Sequence, residues 1–345
     1  MRIVIMGTGP FAVPACKQIL ADGHKIPLVI TRPVIAAPGN KLPPRPVFDW
    51  ARESQLEIAE PASINSPQAI QQLAECSPDL LFVCDYGQIL SKECLQVAPL
   101  GGINLHGSLL PRHRGAAPVQ WSLLSGDTMA GVTVIHMTAK LDAGPAIAVE
   151  ATQVLPDETA EFLEPRLAEL GVRATQRALL LLESWDQVST LGDLQDSTQV
   201  SRAPRFAKTD GLLDFRLPAE YLVRLVRACQ PWPGTFAQLK WDSGKAIRLI
   251  VRAARYVAEI PQLPALSPGA VVAIDAQQLG VDWSKPWKKM LAVGTRRGIF
   301  LIGQLQPAGK RSMDAEEFLR GHPVDFQAKF ELPEHHPRAL VPCPD

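Results

Sequence analysis

The chain has 345 residues, 46% of them hydrophobic and 20% charged, which excludes a globally disordered chain and suits two domains at roughly 100–200 residues each. Lys plus Arg and Asp plus Glu balance at 35 each, and no apolar run approaches the ~20 residues of a membrane span, which argues against a general polyanion binder and a membrane protein. The six cysteines form no Cys-x-x-Cys pair, and the apolar start reaches Gly7 too soon for a signal peptide, so reduced thiols and a cytoplasmic protein are expected.

In chain order, Arg2 to Met6 reads as a buried strand ended by Gly7-Thr8-Gly9-Pro10, with Phe11, Val13, Ile19 and Leu20 on a following helix. Lys25 to Thr31 reads as a second strand, and Pro33 through Pro46 as a loop too rich in proline for a helix or central strand. Strands are expected at Asp79 to Cys84, Gly102 to Leu105 and Val132 to Met137, with helices around Gln68 to Leu73 and Pro118 to Leu124. Such alternation indicates an open, mostly parallel α/β sheet. A long amphipathic helix from Glu158 to Glu183, capped by Asp157 or Thr159, closes the first domain (1–183).

The polar stretch 184–203 reads as a linker, and the second domain, 204–332, as a helix from Pro218 to Cys229 followed by short strands in a small β-barrel. Those strands are placed at Thr235 to Trp241, Ala246 to Tyr256, Ala270 to Ile274 and Ile299 to Leu305, with a loosely held tail at 333–345. The balanced total hides a division. From Pro204 onward 20 Lys/Arg face 14 Asp/Glu, a net of +6, which leaves 15 against 21, or −6, for residues 1–203.

The chemistry concentrates after the strand at Gly102. Because side chains alternate along a strand, Asn104 and His106 point to one face at the carboxyl end, where open α/β sheets place their ligands. Asp142 follows the strand Gly131 to Met137. An amide to hold an oxyanion, an imidazole to move protons and a carboxylate to fix its tautomer make a catalytic set. Taken singly, a histidine after a strand is more often a hydrogen-bonded structural residue, and Asp-x-Gly more often a turn. The residues alone leave both readings open.

Asn104-Leu105-His106-Gly107-Ser108-Leu109-Leu110-Pro111, with Arg114 to Pro118, Gly131-Val132-Thr133 and Leu141-Asp142-Ala143-Gly144, resembles the formyltransferases that use 10-formyltetrahydrofolate. The likeness runs from Gly7 to Ala12 through Asp85-Tyr86-Gly87-Gln88-Ile89-Leu90 to Gln306-Pro307-Ala308-Gly309-Lys310, and the last segment favours the branch that formylates initiator methionyl-tRNA. The resemblance implies a Rossmann-like amino-terminal domain, an OB-like barrel that binds tRNA, and a monomer. It implies that Asn104 holds the formyl oxygen, His106 polarises it or shuttles a proton, and Asp142 orients His106. The cofactor-binding residues it implies are Tyr86, Gly87, Ile89, Leu90, Ser108, Leu109, Leu110, Pro111 and Leu141, and the tRNA-binding residues Lys41, Arg45, Lys208, Arg227, Lys310 and Arg311. No metal is implied.

There are departures. Pro38 stands where the family's loop carries an arginine, so Lys41 with Arg32 or Arg45 must supply the charge, and His136, Lys140 and Pro145 replace other residues. A rival reading takes Gly7-x-Gly9-x-x-Ala12 as a dinucleotide fingerprint, but Thr31-Arg32 stands where NAD enzymes place an acid, leaving only an NADP oxidoreductase. A non-catalytic RNA-binding module would leave the Asn-His-Asp set idle. A zinc hydrolase lacks ligand spacing, and a nucleotide-sugar N-formyltransferase remains the runner-up within the family.

Overall fold

The structure, a computed structural model, describes residues 1–34, 42–260, 263–279, 287–324 and 327–334. The chain forms two compact units. The first comprises Met1–Ser122, Thr128–Val154 and Phe162–Arg205; the second comprises Leu123–Asp127, Leu155–Glu161 and Phe206 onward.

The first unit runs β1 (Ile3–Gly7), α1 (Val13–Ala21), β2 (Val29–Ile30), α2 (Pro46–Glu53), β3 (Ile58–Ala59), α3 (Pro67–Glu75), β4 (Leu80–Cys84), α4 (Lys92–Leu95), β5 (Gly102–His106), α5 (Pro118–Ser125), β6 (Met129–His136), β7 (Ala146–Gln153) and α6 (Ala160–Glu183). The sheet order is β3-β2-β1-β4-β5-β6-β7. β1 through β5 pair in parallel, while β6 and β7 add antiparallel at one edge. β1 and β4 are buried along their whole length, as their unbroken apolar runs require of strands covered on both faces. On one face Val4, Met6, Leu28, Leu81, Val83 and Leu90 make a continuous core. On α6, Gly171 lets the helix approach Leu105 of β5, since a Cβ there would lie 2.8 Å from Leu105 Cδ2. Ser66 and Ser91 cap α3 and α4 through their hydroxyls.

Three details differ from the sequence reading. The strand expected at Lys25 to Thr31 enters the ladder only at Val29–Ile30. Pro46, taken as the end of a loop, is the first residue of α2, where a missing N–H removes no intrahelical bond. β7 is an additional edge strand whose outer half is partly exposed and carries no apolar run.

The second unit contains α7 (Ala219–Ala228), β8 (Thr235–Lys240), β9 (Ala246–Val257), β10 (Val271–Asp275), β11 (Lys289–Gly294), β12 (Ile299–Pro307), β13 (Met313–Asp314), α8 (Ala315–Gly321) and β14 (Lys329–Phe330). Its antiparallel order is β10-β11-β12-β9-β8-β14, and a bridge from Lys329 back to Ala270 brings the last strand to the start of the first. The sheet therefore curls into a barrel around Val272, Ile274, Met290, Ala292 and Leu301. The buried Asp214 and the Arg216 guanidinium form a two-pronged pair at 2.9 Å per prong, and Arg216 also donates to Pro333 O.

Candidate active site

The order in which strands are added reverses at β1: β2 and β3 lie on one side of it, and β4 and β5 on the other. Ligands of open α/β sheets bind outside the carboxyl ends of the strands at such a point. Here a cavity of about 500 Å³ opens there, lined by Thr8 after β1, Asp85 to Leu90 after β4, Asn104 and His106 on β5, and Ala139 to Asp142 after β6. All of its lining belongs to the first unit. Its volume is that of a small-molecule site.

Asn104, His106 and Asp142 meet on its wall. Asn104 Nδ2 lies 3.4 Å from Asp142 Oδ1, and His106 Nδ1 lies 3.8 Å from Asp142 Oδ2. The second distance is too long for a hydrogen bond. What orients the imidazole is a backbone carbonyl, since His106 Nε2–H donates to His113 O at 3.0 Å. The sequence reading gave that task to Asp142. With Nε2 committed, Nδ1 is the ring nitrogen left facing Asp142. His106 is 6% exposed.

Asp142 is itself held. Its backbone is left-handed, at φ 50, a conformation that Asp tolerates better than most residues. Gly115 N–H donates to Oδ2 at 2.9 Å. Gln195 donates to the carbonyls of Asp142 and Gly144 at 2.9 and 2.8 Å, while its own oxygen accepts from the Arg114 guanidinium. Ser201 Oγ accepts from His113 N, and Ala203 N donates to Arg114 O. The stretch read as a linker, 184–203, is thus packed within the first unit, and its polar residues Gln195 and Ser201 are spent on the loops that carry His113, Arg114 and Asp142. His113 and Gln195 escaped the sequence reading because one acts through its carbonyl and the other from 53 residues away.

Of the residues expected to bind cofactor, Tyr86, Gly87, Ile89, Leu90 and Leu141 line the cavity, and Ile89 and Leu141 present apolar surface there at 65% and 59% exposure. Ser108, Leu109, Leu110 and Pro111 do not line it. Ser108 is fully buried with its hydroxyl on Arg112 O, and Leu110 N donates to Thr133. Those residues brace the loop behind His106. His136 is structural, its Nε2 donating to Leu100 O at 3.0 Å.

The residues expected to bind tRNA are scattered. Lys41 and Pro38 lie outside the described residues. Arg45 pairs with Glu60 and covers the Phe48 ring. Arg227 donates to Glu158 O at 2.7 Å, and its burial lowers its pKa. Arg311 pairs with Glu317, and Lys208 and Lys310 are exposed.

Two carboxylates at the cavity were given no role in the sequence reading. Asp85 and Glu164 both line it; Asp85 is exposed to the cavity and Glu164 partly buried, and desolvation by the surrounding walls raises the pKa of each, with the charge of Asp85 adding to the rise at Glu164. For Asp85 the charges of His106 and Arg205 act the other way. No group of three or more His, Cys, Asp or Glu among the described residues is arranged to hold a metal ion, and no helix among them is long and apolar enough to cross a membrane.

The profile for formyl transferases matches residues 1–179, and that for the formyl transferase C-terminal domain matches residues 205–323. A methionyl-tRNA formyltransferase of Rhodopirellula baltica is 44% identical over 332 residues, covering 93% of this chain and 94% of that protein. Among solved structures, the sugar 3N-formyl transferase WlaRD, crystallised with dTDP and 5-N-formyl-THF, superposes with a TM-score of 0.59 at 14% identity, over 90% of this chain and 99% of its own. HypX from Aquifex aeolicus in complex with tetrahydrofolic acid superposes with a TM-score of 0.53 at 16% identity, over 92% of this chain and 47% of its own. At such identities the two structures speak for the fold alone.

Proposed function

The chain belongs to the formyl transferase family, and from that premise we propose that it moves the formyl group of 10-formyltetrahydrofolate to the α-amino group of a methionyl initiator tRNA. The observation that carries the proposal is the meeting of Asn104, His106 and Asp142 on the wall of one cavity. The full-length likeness to a methionyl-tRNA formyltransferase supplies the acceptor.

The cavity suits the co-substrate. Its volume admits a flat ring system, and its wall combines apolar side chains at Ile89, Leu90 and Leu141 with the open backbone of Gly87, at φ 74. Tyr86 to Leu90 and Ala139 to Leu141 would hold the pterin. The donor supplies a formyl group that an amine can attack directly, so no residue need form a covalent bond.

Asn104 donates from Nδ2 to the formyl oxygen as it gains charge, a preorganised contact that strengthens toward the transition state. His106 exchanges a proton at Nδ1, because Nε2–H is fixed on His113 O. Asp142 stabilises that proton from 3.8 Å, its carboxylate held in place by Gly115 N–H. Since the lining comes from one unit of one chain, a monomer suffices. The exposed Lys208 and Lys310 carry the tRNA contacts in a region of net charge +6. The reaction belongs in the cytoplasm, with translation initiation.

The test is direct. Purified protein, 10-formyltetrahydrofolate and Met-charged initiator tRNA should yield formyl-methionine on the tRNA. His106→Ala should lower the rate at least ~100-fold, the usual worth of a positioned proton-transfer group. Folate binding without transfer to the tRNA would instead move the acceptor to an amino sugar or another small amine.

A further inference from the structure

An α-ammonium that becomes a formamide gives up two protons, and N10 of the departing tetrahydrofolate takes back one. One proton per turnover therefore leaves for solvent. Asp142 is a poor exit, with a side chain only 9% exposed and with the Gly115 N–H and the Asn104 amide at its oxygens.

A second carboxylate lines the same cavity. In the parallel ladders Gly7 is level with Cys84, and Val83 with Asn104. Continuing both registers puts Asp85 between Thr8 and His106, at the carboxyl end of β4. Its backbone is left-handed, at φ 52, and its carbonyl accepts the Thr8 hydroxyl. Its Oδ2 lies over Gly9, where a Cβ would come within 2.6 Å of it. The side chain opens to the cavity, and neither it nor Glu164 accepts a hydrogen bond or joins an ion pair among the described residues. The charged and titratable groups facing it are His106 from β5, Arg205, Glu164 from α6 and the Cys84 thiol beside it on β4.

Given the formyl-transfer reading, on which this rests, we propose that Asp85 is the acceptor-side base, holding the α-ammonium of the aminoacyl ester and taking its first proton. An N–H bond breaks and its pair stays on nitrogen while Asp85 gains an O–H bond. The nitrogen pair then forms the bond to the formyl carbon, and the carbonyl π pair moves onto the oxygen facing Asn104. That pair returns as the C–N10 bond breaks, and His106 with Asp142 moves the second proton to N10. Asp85 releases its own proton to water through the cavity. Desolvation by the cavity walls makes this carboxylate more proton-hungry than an ordinary aspartate, with the charges of His106 and Arg205 acting the other way, which suits it to take a proton from an ammonium group.

Asn adopts left-handed backbone as readily as Asp, so Asp85→Asn removes the base and keeps the turn. The measurement is kcat/KM for methionyl-tRNA across pH about 6 to 9 for wild type, Asp85→Asn and Arg205→Gln. A free α-amino group titrates near ~8. Asp85→Asn should therefore lose about 100-fold at the acid end, and the deficit should close toward the alkaline end, where the amine arrives neutral. Arg205→Gln should shift the acid limb to higher pH, because Asp85 ionises less easily without that neighbouring cation. A deficit equal at every pH, or no deficit, overturns the assignment while an active wild type preserves the formyl-transfer reading. A wild type without transfer removes both. Should Asp85→Asn fail to fold, an unshifted limb in Arg205→Gln overturns the assignment by itself.

Discussion

In the proposed reaction Asn104 acts through a single N–H, and its worth depends on being aimed before the charge develops. Asn104→Ala should lower the single-turnover rate by roughly 100- to 1000-fold with little change in folate affinity, the signature of a contact that matters mainly in the transition state. Comparing the single-turnover rate constant with the folate Kd checks this. At this scale the sequence was generous where chemistry lies in side chains. Asn104 and His106 were brought forward by the two-residue period of a strand and Asp142 by its place after the next one, and resemblance supplied the roles that the residues alone left open. It was silent where chemistry lies in the backbone. The carbonyl of His113 fixes the tautomer of His106, and Gly115 N–H anchors Asp142, yet neither contact depends on the identity of a side chain. Asp85 was visible as a letter, but its meaning depends on the register of β4 against both neighbours.

Elements that are wholly buried were legible as unbroken apolar runs, hence β1 and β4. Elements at edges were not. β7 pairs along β6 yet reads as AIAVEATQ, without the hydrophobic run that marks a covered strand, and β14 contributes only Lys329–Phe330 to the barrel. The hardest segment was 184–203. Polar composition marks a linker and a clamp alike, and only tertiary partners tell them apart. Gln195→Ala would leave the carbonyls of Asp142 and Gly144 without that donor and Arg114 without its acceptor, at a cost of about 1–3 kcal/mol. A catalytic group displaced by even ~1 Å can lose on the order of 100-fold in rate. Gln195→Ala should thus lower kcat by more than ~10-fold at temperatures where the protein remains folded, a result that thermal melts beside steady-state rates would check.

Across the whole molecule, balanced charge conceals an acidic half and a basic half, and six cysteines carry no disulfide signature. Cys16, Cys84, Cys94 and Cys229 are buried, and burial pushes the Cys94 thiol up to about 11 and the Cys229 thiol up to about 12. Cys76 is partly exposed. Since the thiolate is the reactive form, an alkylating reagent near neutral pH should label Cys76 well before those four, and denaturant should release them, as site-resolved mass spectrometry would show. The clamp on Asp142 also sets an order of manufacture. Gln195 lies 53 residues beyond the carbonyl it holds, so a ribosome that has finished β7 has made all three proposed catalytic groups, with the His113 and Gly115 contacts, but not the clamp from Gln195. That clamp arrives only as the chain passes from 195 to 203. A gene cut where the amino-terminal profile stops, at residue 179, would encode the full triad on a slack loop. A cut after Arg205 would keep the fastening.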